Sequence, residues 1–263
     1  GFRVGVSRQL VLRALAAAFA RDEHTLAQRI IGYTAGDARP DAQAFLALIG
    51  EAAEQGGAHR LSAAQPYPFF LAQPLQQDPA SLGPLDDWLA EWKWDGIRAQ
   101  LVCRERTVSL WSRGEELITD RFPEIQAAAE PLSGPLVLDG ELLCWQPGSD
   151  GPMPFAVLQT RIGRRTLGAK RLREAPARFV AYDLLKDGSG DLRALPLRER
   201  RARLQAVGAG WNADALAVSE RLEATDWSGL HALRTESRTR GVEGLMLKRV
   251  VSAYGVGRTR SHP

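Results

Sequence analysis

Glu91-Trp92-Lys93-Trp94-Asp95-Gly96-Ile97-Arg98 places a lysine on one strand, an Asp-Gly turn after it and an arginine on the next strand. Strand, turn and strand together hold the lysine firmly. A lysine is a nucleophile only once its ammonium has lost a proton, which neighbouring cations and partial burial favour. Arg98 and a second lysine are the expected cationic neighbours. Taken alone, the motif reads as a surface β-hairpin with a solvated lysine, so the flanking sequence has to decide.

Downstream of the motif the chain is a succession of short apolar strands. IRAQLVCR, TVSLWSR, PLVLDGELLCW, RFVAYDLL and VEGLMLKRV follow WLAEWKW, separated by turn residues. FPEIQAAAE, LRERRARLQAVG and the stretch around Trp227 to Arg240 have helical spacing. This texture predicts an α+β domain with a mainly antiparallel sheet. Upstream, LVLRALAAAFA and DAQAFLALIGEAAEQ repeat apolar residues at three and four, so the first sixty residues read as helices that stop at Gly56-Gly57. QPYPFFLAQPLQQDPASLGP, rich in proline and glutamine, suits an extended connection. The expected division is a helical part with linker over 1–80 and a second domain over 81–263.

Composition narrows the class. Hydrophobic residues at 44% and charged residues at 25% are ordinary globular values. No run approaches the roughly twenty apolar residues that cross a bilayer, and GFRVGVSRQL lacks the features of a signal peptide. A cytoplasmic protein with no membrane partner is expected. Cys103 and Cys144 sit in apolar strands without metal-site spacing and read as buried free thiols. The net charge of +3 is small, but RIGRRTLGAKRLREAPAR over 161–178 is strongly basic, and a polyanion is felt there first.

Two further motifs carry charge. Val137-Leu138-Asp139-Gly140-Glu141 sets two carboxylates around a glycine, and Val242-Glu243-Gly244-Leu245-Met246-Leu247-Lys248 brackets an apolar run with a glutamate and a lysine. Positions 243 and 248 differ by an odd number, so a regular strand sends them to opposite faces, and a bend or bulge is required to bring both to one ligand. The set comprises a lysine nucleophile, two glutamates suited to a magnesium ion and further cations for phosphate oxygens. No GxxxxGK[ST] loop is present, and Gly208-Ala209-Gly210 follows a helical segment where a dinucleotide fold needs a strand.

The order of these motifs resembles that of the covalent nucleotidyltransferases, the superfamily of ATP-dependent DNA ligases, RNA ligases and capping enzymes. Lys93-Trp94-Asp95-Gly96 is similar to motif I, Ser112-Arg113-Gly114 to the next, Asp139-Gly140-Glu141 to motif III, Phe179 to Tyr182 to motif IIIa, and Glu243 to Lys248 to motif IV. RFPEI at 121–125, PFAVLQTRIGRR at 154–165 and YDLL followed by DLRALPLRERRARL resemble bacterial ATP-dependent DNA ligases. The family continues past Ser252-x-Tyr254-x-x-Gly257-Arg258 into a motif V and an OB-fold domain, neither of which is in this sequence.

The resemblance implies an ATP-grasp-like adenylation domain preceded by part of a helical DNA-binding domain. It implies ATP and Mg²⁺ as cofactors, nicked double-stranded DNA as partner, a bacterial, DNA-associated monomer, and a place in replication, repair and recombination. By the same resemblance Lys93 carries AMP, Glu141 and Glu243 hold Mg²⁺, and Lys248 lies at the phosphates. Tyr182 stacks on adenine, Glu91 reads its edge, and Arg98 contacts ribose or DNA. Arg113, Arg161, Arg164 and Arg165 are the expected DNA contacts, with Arg113 also at the nucleotide. An RNA-end ligase and a catalytically silent nick-binding module are the competing readings.

Overall fold

The computed structural model describes residues 8–30, 41–50, 65–104, 106–132, 134–163, 167–212 and 214–257. The expected helix stop at Gly56-Gly57, the arginines Arg164 and Arg165, and Arg258 lie outside the described residues. Toward the N-terminus run α1 (Arg8–Phe19), α2 (Glu23–Arg29) and α3 (Ala42–Ile49). Asp41 caps α3 by accepting from the Ala44 amide at 2.7 Å, and Gly50 closes it at φ 79°, the left-handed conformation that glycine adopts without strain. α2 falls within the first sixty residues read as helical, although its seven residues are too few to show a helical period of their own.

The remaining elements are β1 (Trp88–Trp94), β2 (Ile97–Arg104), β3 (Thr107–Ser112), α4 (Pro123–Ala129), β4 (Leu136–Cys144), α5 (Phe155–Ile162), α6 (Ala169–Glu174), β5 (Ala177–Asp187), β6 (Gly190–Asp191), α7 (Leu197–Gly208), β7 (Leu216–Val218), α8 (Trp227–Thr235) and β8 (Val242–Arg249). They form two sheets. The larger runs β3-β2-β4-β5-β6, with β7 parallel to β5, and the smaller is the antiparallel pair β1-β8. The architecture is the expected mainly antiparallel α+β arrangement.

One expectation is overturned. β1 and β2 are not a hairpin: β1 pairs with β8, whereas β2 pairs with β3 and β4. The Asp95-Gly96 turn is the crossing between the two sheets. A side chain at Gly96 would put its Cβ 2.4 Å from the Leu142 carbonyl oxygen, so only glycine lets the crossing lie against β4.

Each strand divides its residues between two faces, as period-two alternation requires. Ala99, Leu101 and Cys103 of β2, Leu138, Leu142 and Cys144 of β4, and Phe179 and Ala181 of β5 build the main core with α4 and α5. The other face carries Val102, Val137 and Leu185, covered by Tyr67 and Tyr254. The proline-rich connector is therefore seated on the sheet: the Tyr67 amide donates to Gln100 at 2.8 Å, the Gln100 amide returns a bond to the Tyr67 carbonyl at 3.0 Å, and Phe70 bridges to Gly257. In the small sheet Ala90, Trp92 and Val242 pack against Leu230 of α8, which leaves Glu91 and Lys93 on the opposite side. Cys103 and Cys144 are buried free thiols, and burial pushes both up to about 11.

Gly140 of β4 lies against Phe179 and Val180 of β5. A Cβ there would meet the Val180 carbonyl oxygen at 2.5 Å and the buried Phe179 ring at 2.6 Å. Gly140→Ala is expected to lower unfolding free energy by about 1–3 kcal/mol, the usual range for overpacking. A denaturant titration that shows less than about 0.5 kcal/mol, the scatter of neutral surface changes, sinks this reading.

Candidate active site

Lys93 lies across the small sheet from Gly244, while the next residue, Trp94, pairs with Val242. Glu243 is thus the extra residue of a β-bulge, and Gly244 beside it has φ 152°, a region open to glycine. The bulge supplies the bend demanded by the odd spacing of 243 and 248. Glu243 reaches Lys93 in an ion pair, with about half of each side chain exposed, and Lys248 reaches Glu91.

The second face of the large sheet turns toward this pair of strands. Arg98 and Glu141 are cross-strand partners, and Tyr182 has no partner because β5 bulges between Ala181 and Asp183. Arg98 grips Asp139 through Nε at 3.2 Å and Nη2 at 2.7 Å, donates to the Phe70 carbonyl at 2.5 Å and lies near Tyr254. Tyr254 donates to the same Asp139 carboxylate at 2.6 Å. Burial, with Asp139 adding, pushes the Tyr182 phenol well above its ordinary value, so the ring stays neutral over a cleft lined with cations.

Burial pushes the Glu141 carboxyl up to about 8, even though Arg98, Lys93 and Arg113 pull the other way. Such a group keeps its proton near pH 7 until another cation arrives. Glu141 and Glu243 are both neighbours of Lys93 and offer only oxygen donors. That donor set fits a hard cation held by one or two carboxylates, waters and a ligand's phosphate oxygens. It does not form an all-protein cage, and no group of three or more candidate metal ligands gathers among the described residues.

Glu91 is almost fully buried, with Arg201 Nη1 on its Oε1 at 2.8 Å and the Lys248 ammonium on its Oε2. Lys248 Nζ also lies 4.3 Å from the centre of the Tyr182 ring, a cation–π contact that ties the two sheets together across the cleft. Lys93, Glu141, Tyr182, Glu243, Glu91, Arg98 and Lys248, drawn from separate stretches of sequence, are all in this cleft. The expected cationic activation of Lys93 is not what the geometry provides. Arg98 is paired with Asp139, Lys248 shares the Glu91 carboxylate with Arg201, and the group touching Lys93 is a carboxylate.

The arginines expected to contact DNA divide. Arg113 is exposed at the end of β3, with its amide on the Arg98 carbonyl at 2.9 Å, so its charge is available to a ligand in the cleft. Arg161, expected to touch DNA, is fully buried. Its five N–H groups go to Glu124 twice, to the Arg121 carbonyl twice and to the Ala175 carbonyl, at 2.5 to 3.0 Å. No donor remains for a phosphate, and its charge is balanced inside the protein. Asp139, Tyr254 and Arg201 were not singled out from sequence as site residues. Arg201 had a signal: with Leu197, Arg200 and Leu204 it follows the three-and-four spacing of a buried helix face.

Comparison with known proteins agrees with this geometry. Residues 70–262 match the family model described as "ATP dependent DNA ligase domain". A probable DNA ligase of Koribacter versatilis is 31% identical over 97% of this chain and 46% of its own length. A DNA ligase of Haloarcula marismortui is 30% identical over 99% of this chain and 45% of its own. The chain thus spans about half the length of these relatives. The structure described as mycobacterial DNA ligase D complexed with ATP and MES superposes with a TM-score of 0.53 at 30% identity, covering 67% of this chain and 53% of that one.

Proposed function

Because the chain belongs to the ATP-dependent DNA ligase domain family, we propose that it is the adenylating part of an enzyme that seals nicks in DNA through AMP carried on Lys93. The observation that carries this reading is the bulge at Glu243, which sets a carboxylate against the strand-held Lys93, with Glu141 of the large sheet a second carboxyl neighbour. In the first step Lys93 Nζ, freed from its ion pair with Glu243 and from one proton, attacks the α-phosphorus of ATP. A P–N bond forms, and the bond to the bridging oxygen breaks as pyrophosphate leaves. The AMP then passes to the 5′-phosphate at the nick, which restores the lysine. The 3′-hydroxyl attacks that phosphate, loses its proton and displaces AMP.

Protein groups are arranged to position and neutralise, which is most of what phosphoryl transfer requires. Mg²⁺ held by Glu141 and Glu243 would offset charge on the phosphate oxygens at each step. Tyr182 offers its ring to adenine and Glu91 an acceptor to its edge. Lys248 lies where it can move to a phosphate. Arg98, already bonded to Asp139, shapes the ribose side, and Arg113 is the described arginine suited to a nucleotide or DNA phosphate. The helices within 1–80 are proposed to extend the DNA contact, and a monomer in the bacterial cytoplasm is the matching context. The relatives' names favour DNA over RNA ends, and an intact Lys93 disfavours a silent binding module.

The test is incubation with ATP labelled on the α-phosphate and Mg²⁺, followed by a denaturing gel and intact mass. A stable, acid-labile gain of one AMP per chain is expected. Failure to label, also when the sequence is extended toward the length of its relatives, moves the reading to a nick-binding module.

A further inference from the structure

α7 buries four residues on one stripe, Leu197, Arg200, Arg201 and Leu204. Arg200 grips Asp183, next to Tyr182, through Nε at 2.8 Å and Nη2 at 2.9 Å. Arg201 reaches the other side of the cleft, where Nη1 holds Glu91 Oε1 at 2.8 Å and Nη2 holds the Ser219 carbonyl. Its Nε is buried without a partner, an arrangement with an uncompensated desolvation cost. Packing alone therefore does not favour arginine here, and the two-point hold on Glu91 and Ser219 is what the residue provides.

The other Glu91 oxygen, Oε2, accepts from the Lys248 ammonium, which also lies over the Tyr182 ring. Lys248 thus does two things at once: it covers the aromatic face and donates to Oε2. An aminopurine stacked on Tyr182 would do both with one rigid molecule, its exocyclic amine taking the place of the ammonium.

We infer that Arg201 is a positioning residue for base selection: by donating to Oε1 of Glu91 through one nitrogen while anchored to the Ser219 carbonyl through another, it keeps Oε2 aimed across the Tyr182 ring to accept from the exocyclic amine of adenine. The inference rests on the proposed roles of Glu91 and Tyr182 and adds the residue that fixes the direction of the acceptor. A carboxylate released from Arg201 can turn both oxygens to Lys248 and present none to a base. Lysine at 201 keeps the charge but has a single nitrogen, which cannot span Glu91 and the Ser219 carbonyl as a planar fork does.

The experiment compares ATP with purine riboside triphosphate, which lacks the exocyclic amine, as donors for the nucleotide adduct on Lys93, using the whole chain. The unaltered protein is expected to prefer ATP in the second-order rate constant of adduct formation. In Arg201→Lys and Arg201→Met that preference falls about tenfold or more, the value of a hydrogen bond to a charged acceptor, while adduct still forms. Arg161→Lys, which alters a buried guanidinium bonded to Glu124, Arg121 and Ala175 and to no residue of the cleft, serves as the control for lost stability and keeps the full preference. A preference retained in Arg201→Lys, with a cooperative melt to show that it folds, overturns the inference, as does an equal fall in Arg161→Lys. Failure of the unaltered chain to label with ATP is a separate result, because it precedes any substitution, and it removes the reading of the site itself.

Discussion

Lys93→Ala is expected to abolish the AMP adduct while leaving the protein folded and its affinity for nicked DNA within a few-fold. Among the described residues no other group in the cleft can take the place of the nucleophile. Lys248 is bonded to Glu91 over Tyr182 and Arg98 is bound to Asp139, and a guanidinium does not lose its proton in proteins. Labelling should therefore fall to background rather than by a factor. Stability should change by no more than about 1 kcal/mol, since the Lys93–Glu243 pair is roughly half exposed and such pairs contribute little. Intact mass after incubation with ATP and Mg²⁺ reads the first effect, and a denaturant titration the second. An adduct that persists in Lys93→Ala assigns the chemistry to another nucleophile and ends the proposed mechanism.

The second large effect is on stability. Arg161→Ala leaves the Glu124 carboxylate without the two guanidinium contacts at 2.5 and 2.6 Å that balance it, takes both guanidinium donors from the Arg121 carbonyl, and leaves the Ala175 carbonyl only the weak Cys144 thiol. Removing one partner of a buried ion pair costs about 3–5 kcal/mol, a large share of the stability of a domain this size. Equilibrium unfolding in urea should show a lower midpoint with little change in slope. A loss under about 1 kcal/mol together with weaker DNA binding would return Arg161 to the DNA-contacting surface that its basic surroundings suggest.

Arg161 shows why charge is a poor guide to place. RIGRRTLGAKRLREAPAR is basic throughout, yet the structure sends Arg161 into the core and leaves the Lys170 side chain 84% exposed. A guanidinium can be buried once carboxylate and carbonyl partners surround it, and those partners come from α4 and the chain before it, some forty residues away in sequence. The strongly basic composition also hid α6. By contrast, α7 was legible over its whole length, and its two buried arginines were visible as positions on an apolar stripe, though not as partners of Asp183 and Glu91.

Local sequence determined the strands. The short apolar runs WLAEWKW, IRAQLVCR and VEGLMLKRV, bounded by turn residues, reproduce β1, β2 and β8 to within a residue, because strand propensity and turn chemistry are properties of the segment itself. Sequence also placed Lys93, Glu141, Tyr182, Glu243 and Lys248 among the groups suited to phosphoryl chemistry. Tertiary structure alone decided how they meet. Asp95-Gly96 looks like a hairpin turn but separates two sheets, because β1 finds its partner in β8, about 150 residues on. The Glu243 bulge exists only in that pairing, and the carboxylate beside Lys93, the Arg201 hold on Glu91 and the burial of Arg161 all follow from contacts between distant segments. Pattern within a strand is a local property; register, bulges and the partner of a buried charge depend on which strands pair, and that is set by the packing of the whole chain.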